Sequence, residues 1–321
     1  MRTDLWASST WRTQPVASNS VPSGGQSAPT ISVGVPVYNG EQHLAQALDS
    51  LLAQTHGDLE IVISDNASTD RTPALCEQYA ARDPRVRYIR QSRNIGAPRN
   101  WNAVVEAARG SFFKWASAND YANDRYLETC LQALHDDPGT VLAFGRTCLV
   151  DEVTGSTSHY EGDVELLDER APDRFRRVCR SWALNNAQSG LFRLDVLRKT
   201  GLDRTYISGD LVLMAELALY GRFRQVPGAT LFRRVGSQSM SSRLPTSQLE
   251  ELIDPLTKGE QLVAWPRHLD MMASVLRSPV AISDKLECLG IAARGASWDS
   301  ARLSRELGVL LRRLWRRPSH G

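Results

Sequence analysis

Four polar clusters punctuate the first third of the chain, and each follows an apolar run. Tyr38-Asn39-Gly40-Glu41 follows ISVGVPV, and Asp65-Asn66-Ala67-Ser68-Thr69-Asp70 follows LEIVIS. QSRNIGAPRN follows VRYIR, and Ser117-Ala118-Asn119-Asp120-Tyr121 follows SFFKWA. Their amides, hydroxyls and carboxylates can hydrogen-bond a ligand, although any one cluster could be an ordinary turn. Ser117, Asn119 and Asp120 could hold a metal and a phosphate, yet they carry one carboxylate where a dedicated cation centre wants more. A further carboxylate, Asp210, opens the apolar stretch DLVLMAELALY. At a helix start an Asp is either an N-cap or a free proton acceptor, and the spacing leaves both open.

The elements that must position these residues are legible from periodicity. ISVGVPV is a β-branched strand, and EQHLAQALDSLLAQ repeats Leu44, Leu48, Leu51 and Leu52 at helical spacing. Strand and helix then alternate to about residue 150. This implies βαβ units and an α/β, mainly parallel, Rossmann-like sheet flanked by helices. Ligands of such sheets bind beyond the carboxyl ends of the strands, and the four clusters stand there in succession. The strand ends lack G-x-G-x-x-G, the P-loop pattern and G-x-S-x-G, which removes the commonest dinucleotide, nucleoside triphosphatase and hydrolase readings.

Composition narrows the setting. The net charge of +2 offers no global field for nucleic acid. Five scattered cysteines without a C-x-x-C pair argue against zinc and a full disulfide framework, and a reducing cytoplasm is the expected location. Residues 1–29 read as a disordered leader, 30–245 as the catalytic unit and 246–321 as a helical C-terminal region.

SVGVPVYNGEQHLAQALDSLLAQTHGDLEIVISDNASTDRT and RNIGAPRNWNAVVEAARGSFFKWASANDY resemble the family 2 glycosyltransferases, and the likeness runs from about residue 31 to 235. The resemblance implies the glycosyltransferase A-type fold. It also implies transfer, with inversion, of a sugar from a nucleotide diphosphate sugar to an acceptor hydroxyl on a glycan, glycolipid or other conjugate. By the same resemblance Pro36, Val37, Tyr38 and Asn39 meet the nucleoside, Asp65 meets the base, and Asn94 and Gly96 lie near the nucleotide. The family usually carries D-x-D where this chain has Ser117 and Asn119, with Asp120 next, and Gly236 stands at the place of a family His. Mg²⁺ or Mn²⁺ is the implied cation, held weakly by Asp120 and Asn119 and completed by phosphate oxygens. Alternatively Arg71, Arg99, Arg233 and Arg234 neutralise the diphosphate.

Asp210 matches the general base of the family, with Gly209 where a first acid often lies and Glu216 as a structural partner. Asn185, Gln188 and Arg193 are expected at the acceptor mouth. In the tail, Leu303, Leu307, Leu310, Leu311 and Leu314 form one stripe flanked by Arg305, Arg312, Arg313, Arg316 and Arg317. Such a helix either packs on the catalytic unit, the favoured reading, or touches an anionic membrane. The altered Ser-Ala-Asn-Asp motif also sustains a rival reading, a non-catalytic nucleotide-binding or scaffold relative.

Overall fold

The computed structural model describes residues 28–181, 184–236, 246–256 and 262–315. Expectations for the leader up to residue 27, for residues 237–245 and for Arg316 and Arg317 lie outside the described residues, as do the side chains of Arg312, Arg313 and Leu314.

The first four expected strands form: β1 (Ile31–Val37), β2 (Leu59–Asp65), β3 (Val86–Arg90) and β4 (Phe112–Trp115). Every residue of β1 and β2 is buried, as central parallel strands covered on both faces require. The connecting helices are α1 (Leu44–Leu52), α2 (Thr72–Arg82) and α3 (Ala97–Ala107). Helix α3 approaches β1 closely at Gly34, where a Cβ would come within 2.6 Å of Val104 Cγ2. Helix α4 (Tyr126–Asp136) leads to β6 (Thr140–Asp151).

The sheet also contains strands too short to read from periodicity: β5 (Tyr121–Ala122), β7 (Thr157–His159) and β8 (Leu191–Arg193). The order is β3-β2-β1-β4-β8-β6-β9-β5, with β7 beside β6. Strand β8 runs antiparallel to both β4 and β6, so β6 itself runs parallel to β4. Strand β9 (Arg222–Val235) pairs with β6 in parallel, with a register shift at Gly145/Arg146. Beyond that shift β9 also pairs with β5, Phe232 opposite Tyr121. The long strand therefore carries Arg233 and Arg234 to the carboxyl edge, beside Asp120.

Helix α5 (Ala171–Ser181), the short α6 (Leu194–Leu197) and α7 (Gly209–Tyr220) complete the sheet unit. The described part of the helical region expected from residue 246 consists of α8 (Thr246–Ile253), α9 (Ala264–Arg277), α10 (Ile282–Trp298) and α11 (Ser300–Trp315). Met271, Val275 and Ile291 share one core with Phe175, Val178 and Leu213, so α9 and α10 pack directly on α5 and α7. Glu216 is fully buried, as its expected structural role demands. It accepts hydrogen bonds from Gly201 N–H and from Arg204 and Arg277, which compensates its desolvation. Glu306 of α11 accepts the N–H groups of Val263, Ala264 and Trp265, stabilising the start of α9. Among the described residues no helix is long and apolar enough to cross a membrane.

Candidate active site

The first two strand-end loops are stitched into one unit. Asn39 adopts φ 50°, a left-handed conformation that Asn tolerates. Its Oδ1 accepts Thr69 N–H at 2.9 Å, and its own N–H donates to Ser68 Oγ at 2.9 Å. Gly40 N–H donates to Thr72 Oγ1, and Glu41 N–H donates to Asp70. Burial alone would raise the Asp70 carboxyl, but hydrogen bonds from Thr72 and Glu41 outweigh it and hold the group low.

Asp65 is fully buried at the end of β2. One oxygen accepts Ser68 N–H at 2.8 Å, the other accepts the Tyr88 hydroxyl at 2.9 Å, and Arg90 lies 3.7 Å away. The residue expected against the base therefore organises the loop and does not itself line the cleft. Its neighbour Asn66 does. The Asn66 amide donates to Asn94 Oδ1 at 2.8 Å, and Asn94 Oδ1 also accepts Gly96 N–H at 2.9 Å. This network sets the third loop against the second. Gly96 has φ 88°, and a Cβ there would lie 2.3 Å from the Ile253 carbonyl. Arg99 pairs with Asp254 at 2.7 Å. Glycine and ion pair together hold the end of α8 over the start of α3.

The resulting cleft, about 120 Å³, is walled by Pro36, Val37, Tyr38, Asn66, Ser117 and Asn119. Ala97, Asn100 and Trp101 face it from one side of α3, and Leu252 closes it from α8. The structure thus brings together five expected residues from two loops far apart in sequence. Sequence reasoning missed Asn66, Asn100, Trp101 and Leu252. The i, i+3, i+4 spacing of Ala97, Asn100 and Trp101 was a usable signal. Leu252 had none, because its place depends on long-range packing.

At the Ser117–Asp120 turn, Asp120 Oδ1 accepts Arg234 N–H at 3.0 Å. Burial pushes the Asp120 carboxyl up, against the opposing charges of Arg233 and Arg234. The Arg234 guanidinium donates to the Asn119 carbonyl and Gln46 Oε1, and lies 5.1 Å from the Tyr121 ring centre. Arg233 donates to Asn186 Oδ1. Beneath the turn Lys114 is buried, donating to the Ser189 carbonyl, and burial lowers it to about 8. At Gly236 a Cβ would stand 3.6 Å from Glu152, which lies 2.7 Å from His43. Among the described residues no three His, Cys, Asp or Glu side chains converge as a metal centre. The turn offers one carboxylate with one oxygen already engaged, so its residues do not by themselves make a resident metal site. Arg71, 86% exposed on its ion pair with Glu41, and Arg99, committed to Asp254, stand apart from Arg233 and Arg234.

Across the sheet edge, Asp210 is the second residue of α7, whose N-cap is Ser208. Its Oδ2 accepts Asn185 Nδ2 at 2.9 Å, its one hydrogen bond among the described residues. The carboxylate does not cap the helix. Asn185 Nδ2 also donates to Gln188 Oε1 at 3.2 Å, so both expected acceptor-side amides adjoin Asp210. Asp203, unforeseen in the sequence, joins them. Its carboxyl is pushed up to about 7, first by burial and then by the charge of Asp210. Asn102 of α3 fixes its backbone through bonds of 2.9 and 3.0 Å. Arg193 corrects an expectation. It pairs opposite Phe112 at the amino end of β4, so the antiparallel register of β8 carries it to the edge away from the cleft. There it donates to the carbonyls of Thr140, Leu134 and Asp137.

Comparison with known proteins accords with this geometry. Residues 32–199 match the family model described as Glycosyl transferase family 2. Glycosyltransferase GlyG of Streptococcus pneumoniae is 26% identical over 238 residues, 71% of this chain and 78% of that one. Other curated relatives are matched over about a third of their own length. The crystal structure of TarS 1–349 from S. aureus in complex with UDP aligns with a TM-score of 0.57 at 16% identity, over 81% of this chain and 69% of that one. Mannosyltransferase PcManGT from Pyrobaculum calidifontis, in complex with GDP-Man and Mn²⁺, aligns with a TM-score of 0.51 at 16% identity, over 90% and 82%. At these identities the structural likeness is one of fold. The family model spans more than half of the chain, and the chain belongs to glycosyl transferase family 2, with the glycosyltransferase A-type fold.

Proposed function

We propose that the chain transfers a hexose-type sugar from a nucleotide diphosphate sugar to an acceptor hydroxyl, with inversion. The observation that carries this reading is the Asp210 carboxylate. It sits at the start of α7, takes no part in capping, and is aimed by Asn185, its one hydrogen-bond partner among the described residues. A non-catalytic scaffold would have no use for such a group. UDP and GDP-Man in the complexes of the two structural relatives support a nucleotide-sugar donor.

The nucleoside occupies the cleft, against Pro36, Val37 and Tyr38, with the Asn66 amide toward the base. Asp65, Asn94 and Gly96 act by shaping that wall. The diphosphate extends toward Asn119, Asp120, Arg233 and Arg234. In the transfer step the acceptor O–H gives its proton to Asp210, the new O–C bond forms on one face of the anomeric carbon, and the bond to the diphosphate breaks on the other. Arg233 and Arg234 stabilise the charge growing on the leaving diphosphate. A divalent cation, when bound, would add further charge there, with Asp120 and Asn119 as its protein ligands.

The test is a thermal-shift screen of UDP, GDP and dTDP sugars, with and without Mg²⁺ or Mn²⁺. A ligand of the native state at a hundred times its Kd adds ~2.7 kcal/mol of stability. One nucleotide class should raise Tm, and metal and nucleotide should each tighten the other if phosphates complete the cation site. No shift with any nucleotide diphosphate at millimolar concentration would overturn the reading.

A further inference from the structure

A second cavity, about 260 Å³, opens between α5, α7, α9 and α10, outside the nucleotide cleft. Leu211, Met271 and Ile291 form its apolar wall, and Trp298, 75% exposed, stands at its edge. Its charge is one-sided. Arg180, Arg267, His268 and Arg294 line it against a single carboxylate, Asp299. Asp299 is already shared by Arg267 and His268. Among the described residues Arg180 and Arg294 have no carboxylate partner, and both are exposed. A pocket that is apolar within and carries two unpaired guanidinium groups is suited to a ligand that is both anionic and apolar.

Topology places this cavity beside the transfer site. Leu211 directly follows Asp210 at the amino end of α7. Arg180 lies at the carboxyl end of α5, five residues before Asn185, the partner of Asp210. Arg267 and His268 belong to the first turns of α9, and Trp298 ends α10. The cavity therefore adjoins the amino-terminal turn of α7, the turn that carries Asp210.

We infer that this cavity is a subsite for the acceptor, and that the acceptor carries a phosphate ester joined to a hydrocarbon group. The phosphate is bound by Arg180 and Arg294 through their planar forks, and the hydrocarbon lies on Met271, Ile291 and the Trp298 ring. At roughly the lower limit of a small-molecule pocket, the cavity takes the head of such an acceptor and leaves the rest outside. The role as acceptor subsite rests on the glycosyltransferase reading; the binding chemistry does not.

The probe is octyl phosphate below its micelle concentration, added to the full chain, with inorganic phosphate and octyl glucoside as controls. Cys179 lines the cavity and is the exposed one of the five cysteines, but the surrounding chain pushes its thiol up to about 12, so its slow maleimide labelling over hours at about pH 8.5, followed by mass spectrometry, reports occupancy. Octyl phosphate should protect Cys179 saturably. The double variant Arg180→Ala/Arg294→Ala should weaken that protection roughly tenfold or more, from the loss of charged hydrogen bonds. Nucleotide diphosphate affinity should be unchanged in the same variant. No protection, or protection equal to that by inorganic phosphate or octyl glucoside, would overturn the subsite. Failure of the glycosyltransferase reading shows separately, as absent nucleotide binding, and would overturn the acceptor role even where Cys179 is protected.

Discussion

Asp210→Asn separates catalysis from structure at one atom. The amide has the shape of the carboxylate, and its oxygen can still accept Asn185 Nδ2, now found at 2.9 Å. What is lost is the proton acceptor. Removing a positioned general base slows transfer by ~10²–10⁴-fold, or ~3–5 kcal/mol of barrier at about 1.4 kcal/mol per decade. The effect on folding is far smaller. Exchanging a charged for a neutral acceptor costs ~1 kcal/mol in the bond to Asn185. In the opposite direction, Asp203 is relieved of a neighbouring charge that now helps push it up to about 7. The urea midpoint should therefore move little while turnover collapses. Single-turnover transfer, calorimetry of donor binding and urea unfolding on the same preparations read the three quantities. Turnover near that of the unmodified chain would refute the assignment and direct attention to Asp203. A stability loss of ~0.5–2 kcal/mol in Asp210→Ala, with activity retained, would instead restore the capping role.

Two further outcomes follow from the same geometry. The folded Asp203 carboxyl, at about 7, lies above its unfolded value of ~3.9, so its contribution to stability is full below the unfolded pKa and is lost as pH rises through the folded one. Asp203→Asn should remove a slope of up to ~1.4 kcal/mol per pH unit between pH 4 and 7, read from urea midpoints; an unchanged slope would refute the placement of that charge. Leu252→Ala should weaken nucleotide diphosphate affinity by ~1 kcal/mol, roughly fivefold, and Arg99→Ala should act in the same direction by releasing α8 from α3. Calorimetry showing intact affinity in both variants would place α8 outside the donor site.

Local pattern alone determined the strands β1 to β4, their helices and the edge where the four loops meet. The β-branched runs and helical Leu spacing are short-range signals, and each is set by which faces a segment must bury. Asp210 was equally legible, as an acid opening an apolar helix, but its freedom from capping was decided only when Ser208 took the N-cap. Other features depended on contacts between distant segments. Arg193 left the site because a three-residue strand pairs antiparallel with β4, a register no periodicity could announce. Arg234 reached Asp120 across 114 residues through the register shift in β9. Asp65 withdrew into the Tyr88 and Ser68 bonds, and Leu252 entered the cleft from a helix of the C-terminal region. Periodicity specifies which face of an element is buried; which element covers it is chosen by packing across the whole chain.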